Sequence, residues 1–110
     1  MKVAVIGSRT LEVKNLEEYL PRDTTEIVSG GALGIDSCAR EYALSHNLIY
    51  TEFLPLYEKY GKAAPIVRNK EIVEYADMVI AFWNGESKGS QNVIDLCQKI
   101  QKKIIVYRYD

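Results

Sequence analysis

The stretch KVAVIG, residues 2–7, places the tightest limit on what this chain can fold into. It is a short, β-branched, apolar run that follows a lysine and is stopped by glycine. A strand with one wet face alternates apolar and polar residues. A run without that alternation reads as a strand buried on both faces, as in a parallel sheet covered by helices on either side. Such a strand needs a neighbour on each edge and a layer above and below it.

The rest of the chain supplies those parts as alternating strand and helix signals. Residues 11–20, LEVKNLEEYL, set Leu11, Leu16, Tyr19 and Leu20 near one face of a helix that Pro21 ends. TEIVSGG is a second strand. Residues 35–47 form a helix with Ile35, Cys38, Ala39, Tyr42 and Ala43 inward and Asn47 at its end. LIYTEF, residues 48–53, is a third strand, followed by Pro55. Residues 64–77 are helical, with Pro65 in the first turn, where proline suits a helix start. MVIAFW, residues 78–83, is a fourth strand; residues 90–101 form a helix striped by Val93, Ile94, Cys97 and Ile100; KIIVYRY, residues 103–109, is the last strand. Strands alternating with helices imply parallel pairing through right-handed crossovers. The expectation is a single α/β domain over residues 1–110, a three-layer, Rossmann-like open parallel sheet of five strands in the order 3-2-1-4-5. A flavodoxin-like 2-1-3-4-5 order is the competitor.

Composition narrows the function. With 110 residues, 47% hydrophobic and 26% charged, the chain suits one domain with its own core and no separate catalytic domain. A formal net charge of −1 supplies no global basic field, so nucleic acid is disfavoured as a partner and any anion site must be local. Cys38 and Cys97 lie in helical patterns without metal-ligand spacing and read as small buried residues of a reducing cytosol. The opening apolar run is too short for a signal peptide, and no stretch reaches membrane-spanning length. A cytoplasmic protein with no membrane partner is expected. His46 stands alone near a helix end, where it can act as a mild C-terminal cation, and no Cys/His cluster points to a metal.

In an open parallel sheet, ligands bind outside the carboxyl ends of the strands, so the four strand-to-helix loops matter most. They are GSRT (7–10), SGGALG (29–34), LPLYEKYGKAAP (54–65) and WNGESKGS (83–90). Three of them set glycine beside serine at or near a helix start. Glycine lets backbone N–H groups face a ligand, and a helix N-terminus adds unpaired donors and partial positive charge. Together these favour phosphate or carboxylate. Arg9, Lys62, Lys88 and Arg68 bring basic side chains to the same edge. The dinucleotide fingerprint G-x-G-x-x-G is absent after the first strand, and GESKGS lacks the spacing and position of a P-loop.

VAVIGSRT, IVSGGALGIDSCAREYA, RNKEIVEYADMVIAFW and SKGSQNVIDLC, in that order, resemble the SLOG superfamily. This is the Rossmann-like domain shared by DNA-processing protein A and the cytokinin-activating LOG ("lonely guy") enzymes, and the resemblance is nearest to its small YspA-like, YpsA-related branch. It covers nearly the whole chain. SGGALGID is similar to the DNA-processing branch, where S-G-x-A-x-G-I-D recurs. Arg68 and Asn69 match the place where both branches put an arginine, which in LOG-like phosphoribohydrolases helps hold the nucleotide. The LOG motif P-G-G-x-G-T-x-x-E is replaced by WNGESKGSQNVID. Gly85, Gly89 and Ser90 can match its glycines and threonine, but Asn92 and Val93 stand where its glutamate belongs, and Asp95 lies a turn further on.

That substitution bears on mechanism, because cleaving an N-glycosidic bond calls for a carboxylate. Asp36 is the fallback catalytic candidate. The resemblance implies a pocket for a nucleotide or nucleotide-derived phosphorylated ligand, with no other cofactor identified, and a homodimer. The candidate binding residues are Gly7, Ser8 and Arg9; Ser29, Gly30, Gly31, Gly34 and Asp36; Arg68 and Asn69; and Gly85, Gly89 and Ser90. Arg68 is expected to close on the phosphate. Plainer roles stand beside these. The glycines can simply make compact turns, Asp36 can complement a helix dipole, Ser90 can be an N-cap, and Asn69 can pin the third loop. Tyr57, Tyr60 and Trp83 flank the pocket and could stack on a base. A LOG-like phosphoribohydrolase and a single-stranded DNA binder are the rival functions.

Overall fold

The computed structural model describes residues 1–109. Its sheet contains β1 (Lys2–Gly7), β2 (Glu26–Ser29), β3 (Ile49–Glu52), β4 (Met78–Trp83) and β5 (Ile104–Arg108). All neighbours pair in parallel, in the order β3-β2-β1-β4-β5. β1 therefore lies between β2 and β4, which is the expected half-Rossmann order and excludes the flavodoxin-like one. The register sets Val3 beside both Ile27 and Met78, and Gly7 beside Phe82. Four helices connect the strands: α1 (Ile35–Ser45), the single-turn α2 (Tyr57–Tyr60), α3 (Ala64–Tyr75) and α4 (Lys88–Ile100).

The period-two pleat splits the strand residues between two cores. On one face Val3, Val5, Ile27, Met78, Ile80 and Phe82 pack against Ile35, Ala39 and Ala43 of α1. On the other Ala4, Ile6, Val28, Val79 and Ala81 meet Ile72 and Val73 of α3 and Val93 and Cys97 of α4. The face that carries two long helices has the smaller strand residues, so both helices can approach the sheet. Burial pushes the Cys97 thiol up to about 11, as suits a packing residue. Cys38 is only half-buried, contrary to the expectation of burial.

The segment 11–20 corrects the sequence reading. In place of a helix it holds an extended stretch and one 3-10 turn, Leu16–Glu18. Leu11 and Val13 are buried while Glu12 and Lys14 are exposed, so this part follows the strand-like period of two. An aromatic cluster fills the adjoining volume beside β5. Tyr19 meets Phe82 edge-on at 5.0 Å and Tyr107 at 4.7 Å, and Phe82 stacks on Tyr107 at 5.6 Å. The third loop also differs from expectation: it contains α2 and a 3-10 turn, Gly61–Ala63. α1 ends two residues before the expected Asn47, at Ser45 with His46 as its C-cap, and Asn47 follows at a left-handed φ of 56°.

Phe82 has no exposed surface and joins the aromatic cluster to the α1-side core. Phe82→Ala should cost about 3–5 kcal/mol, read as a lower urea midpoint with an unchanged slope.

Candidate functional site

A cavity of about 410 Å³ opens at the carboxyl edge of the sheet. Gly7, Arg9, Gly30, Gly31 and Asp36 line it from the first two loops, Arg68 and Asn69 from α3, and Gly89 and Ser90 from the start of α4. Leu54, Pro55 and Tyr57 close the remaining side. Ser8, Ser29, Gly34 and Gly85, expected among the binding residues, lie outside the lining and hold its frame. Lys62, Lys88, Tyr60 and Trp83 are also outside it.

The frame is built by hydrogen bonds between neighbouring strands and loops. The Ser29 hydroxyl donates to the Val5 carbonyl at 2.9 Å, tying β2 to β1 at the edge. The Ser8 carbonyl accepts from the N–H groups of Leu11 and Ile35, and its hydroxyl accepts from Asn84 N–H at 3.2 Å. Gly34 sits at a φ of 73°, and a Cβ there would lie 2.5 Å from the Arg9 carbonyl oxygen. It is thus a packing glycine where two loops cross backbone to backbone. Gly85, at a φ of 84°, turns the fourth loop. The Asn84 side chain then accepts from the N–H groups of Glu86 and Ser87 at 2.9 and 3.0 Å.

This turn delivers Ser87, not Ser90, as the N-cap of α4. The Ser87 hydroxyl accepts from Ser90 N–H at 3.3 Å, and its carbonyl accepts from the Trp83 indole at 3.1 Å. Ser87 also lines the cavity and was missed in the sequence. The signal was available: Asn84-Gly85 is a turn pair, and an asparagine side chain that bonds two and three residues onward places the next serine at the cap. Ser90 is buried one turn inside the helix. Gly89, in the first turn of α4 where helix N–H groups have no partner within the helix, lines the cavity.

Arg68 forms the floor. Its Nη1 donates to the Gly30 carbonyl at 2.7 Å and to the Phe53 carbonyl at 3.5 Å, and its Nε donates to Asn69 Oδ1 at 3.0 Å. The guanidinium is therefore braced to the second and third loops, where the sequence reading had it closing on a phosphate. Asn69 passes the connection on by donating to Asn92 Oδ1 at 3.0 Å, so it links α3 to α4 and does not pin the third loop. Gly30 has to be glycine for this grip, since a Cβ would stand 2.6 Å from Arg68 Nη1.

Asp36 is buried in the first turn of α1 and is the one carboxylate among the described lining residues. Its Oδ2 accepts from Ala32 N–H at 3.1 Å. Burial raises its pKa above the ordinary value of 3.8, outweighing the pull of the Ala32 N–H, the Ser29 hydroxyl and the Arg68 charge. Asp95, by contrast, is exposed and accepts from Gln91 on the outer side of α4.

Two outcomes follow from this bracing. Arg68→Ala should lower stability by about 1–3 kcal/mol, because the Gly30 carbonyl loses a charged donor in a partly buried place. Thermal unfolding with the purified variant checks it. For Asp36, a pKa raised on folding means that its contribution to stability is full below the unfolded value and declines as pH rises through the folded one. Asp36→Asn should therefore match or exceed the parent in stability at pH 7. That difference should shrink as pH falls toward 3.8, as denaturant titrations across pH would show.

The sequence model of the family described as DNA recombination-mediator protein A matches residues 1–54, which hold β1, β2, α1 and β3. Among solved structures, DNA processing protein A from Helicobacter pylori, determined in a study of its single-stranded DNA binding mode, is similar over 100% of this chain. The TM-score is 0.75 at 26% sequence identity, and this chain spans 66% of that one. No curated protein matches the chain in sequence. No helix among the described residues is long and apolar enough to cross a membrane. The parallel 3-2-1-4-5 sheet and these two likenesses fit the expected resemblance to the SLOG superfamily of Rossmann-like domains.

Proposed function

We propose that this domain binds a nucleotide or a nucleotide-derived phosphorylated ligand in the cavity at the carboxyl edge of the sheet. The observation that carries the reading is that a glycine turn and a helix start, two kinds of backbone that hold anions, line one small space. The Gly30–Gly31 turn and the first turn of α4 face the same cavity, with Arg9 exposed at its rim and Arg68 beneath. Helix N-termini and glycine turns hold phosphate through N–H groups, and fixed positive charge adds to that field. A volume of about 410 Å³ suits one small ligand. Arg68 contributes charge from the floor while it keeps the Gly30 loop in shape.

Two other readings compete with it, and one of them has a specific support. The structural neighbour from Helicobacter pylori is described for its single-stranded DNA binding mode, which favours a DNA strand as the ligand. The net charge of −1 works against it, since strand binding draws on a basic groove and weakens steeply with salt. A phosphoribohydrolase would have to use Asp36, whose Oδ2 already braces Ala32.

Isothermal titration with nucleoside monophosphates and diphosphates tests the proposal, and fluorescence anisotropy with a labelled oligonucleotide at low salt separates the DNA reading. Gly89→Asp is the informative variant. A Cβ at Gly89 meets nothing within 4 Å, and an acidic residue in the first turn should stabilise α4 by about 0.3–1 kcal/mol. Thermal stability should hold or rise while nucleotide binding falls at least 10-fold. Arg9→Ala should weaken binding without loss of stability. Unchanged affinity in both variants would sink the proposal.

A further inference from the structure

The cavity is chemically divided, and the division points to how a ligand is selected. Its donor-rich walls come from the first, second and fourth loops, described above. The third loop supplies an apolar wall of Leu54, Pro55 and Tyr57, continued by Pro65 at the start of α3. Tyr57 is 60% exposed although it lines the cavity, so much of its side chain is open to solvent. Its position is fixed by the single turn of α2, in which Lys59 and Tyr60 N–H groups both donate to the Leu56 carbonyl at 3.1 and 3.0 Å. Leu54 and Leu56 beside it are also more than half exposed, at 55% and 51%. An exposed aromatic residue next to proline and leucine, at the mouth of an anion-binding pocket, is suited to covering the face of a planar ring.

We infer that Tyr57 is the specificity-determining residue of this site and that it selects ligands with an aromatic base by stacking on the face of the ring. This rests on the phosphate-binding reading given above and names the part of the ligand that reading leaves open. Of the side chains that the third loop puts on this wall, only Tyr57 carries a polar atom, its phenolic hydroxyl. The wall therefore grips a ring by area and lacks the set of donors and acceptors needed to read the edge of a base. Larger rings bind better, and the two purines are treated alike.

The experiment is a calorimetric series with inorganic phosphate, ribose 5-phosphate, CMP, AMP and GMP on the parent and on Tyr57→Ala and Tyr57→Trp. In the parent, AMP and GMP should bind within about 3-fold of each other, above CMP, and about 10- to 100-fold above ribose 5-phosphate. Tyr57→Ala should bring AMP down to the level of ribose 5-phosphate and leave ribose 5-phosphate unchanged, while Tyr57→Trp should retain AMP binding. Because Tyr57 is exposed, thermal melting should be unaffected in either variant. Equal affinity of the parent for AMP and ribose 5-phosphate would overturn the inference and leave the phosphate reading standing. So would unchanged AMP binding in Tyr57→Ala, or a preference above 10-fold between AMP and GMP. If none of the five compounds binds, the phosphate reading itself fails and the inference with it.

Discussion

Val3, Ala4 and Val5 have no solvent-exposed surface, and their strand is hydrogen-bonded along both edges. An unpaired N–H or carbonyl at that depth would be costly, so β1 needs β2 on one side and β4 on the other. The crossovers that join parallel strands must then cover both faces. Once β1 is central, every strand points the same way, and four connecting loops share one edge. The site is a consequence of this geometry before any loop residue is considered.

The two faces meet the demand differently. α3 and α4 lie side by side over Ala4, Val28, Val79 and Ala81, where small side chains leave room for two helices. The opposite face has α1 and a thin extended segment, so the sheet itself provides bulk through Met78, Ile80 and Phe82, with tyrosines around them. The face with two helices also matters for the pocket, because α3 and α4 carry Arg68, Asn69 and the capped N-terminus of the last helix.

The strands were legible because their apolar runs are short and bounded by glycine, proline or charge. MVIAFW agrees with β4 at both ends; alternation and handedness implied the parallel sheet but left 3-2-1-4-5 and 2-1-3-4-5 in competition, which the pairing of β1 with both β2 and β4 decides. Residues 11–20 misled because Leu11 and Leu16 fit a helical face as well as an extended one. Val13, inward in the structure, was the residue that separated the two periods. At the site, sequence placed the right loops on the right edge but could not assign work within them. Ser8, Ser29 and Gly34 look like ligand contacts in a string of letters. Their duty to neighbouring backbone depends on partners that sit 3 to 76 positions away. The same distance hid the bonds from Arg68 to Gly30, and from Asn69 to Asn92.

The chain of contacts from Gly30 through Arg68 and Asn69 to Asn92 has an entropic side. It joins two walls of the cavity that are carried by separate elements, and it does so through the protein's own hydrogen bonds. Loop ordering is one of the larger costs of association, and here much of it is met during folding. On the binding reading proposed above, little backbone would be left to organise, so even a ligand of few atoms could gain affinity from a handful of contacts.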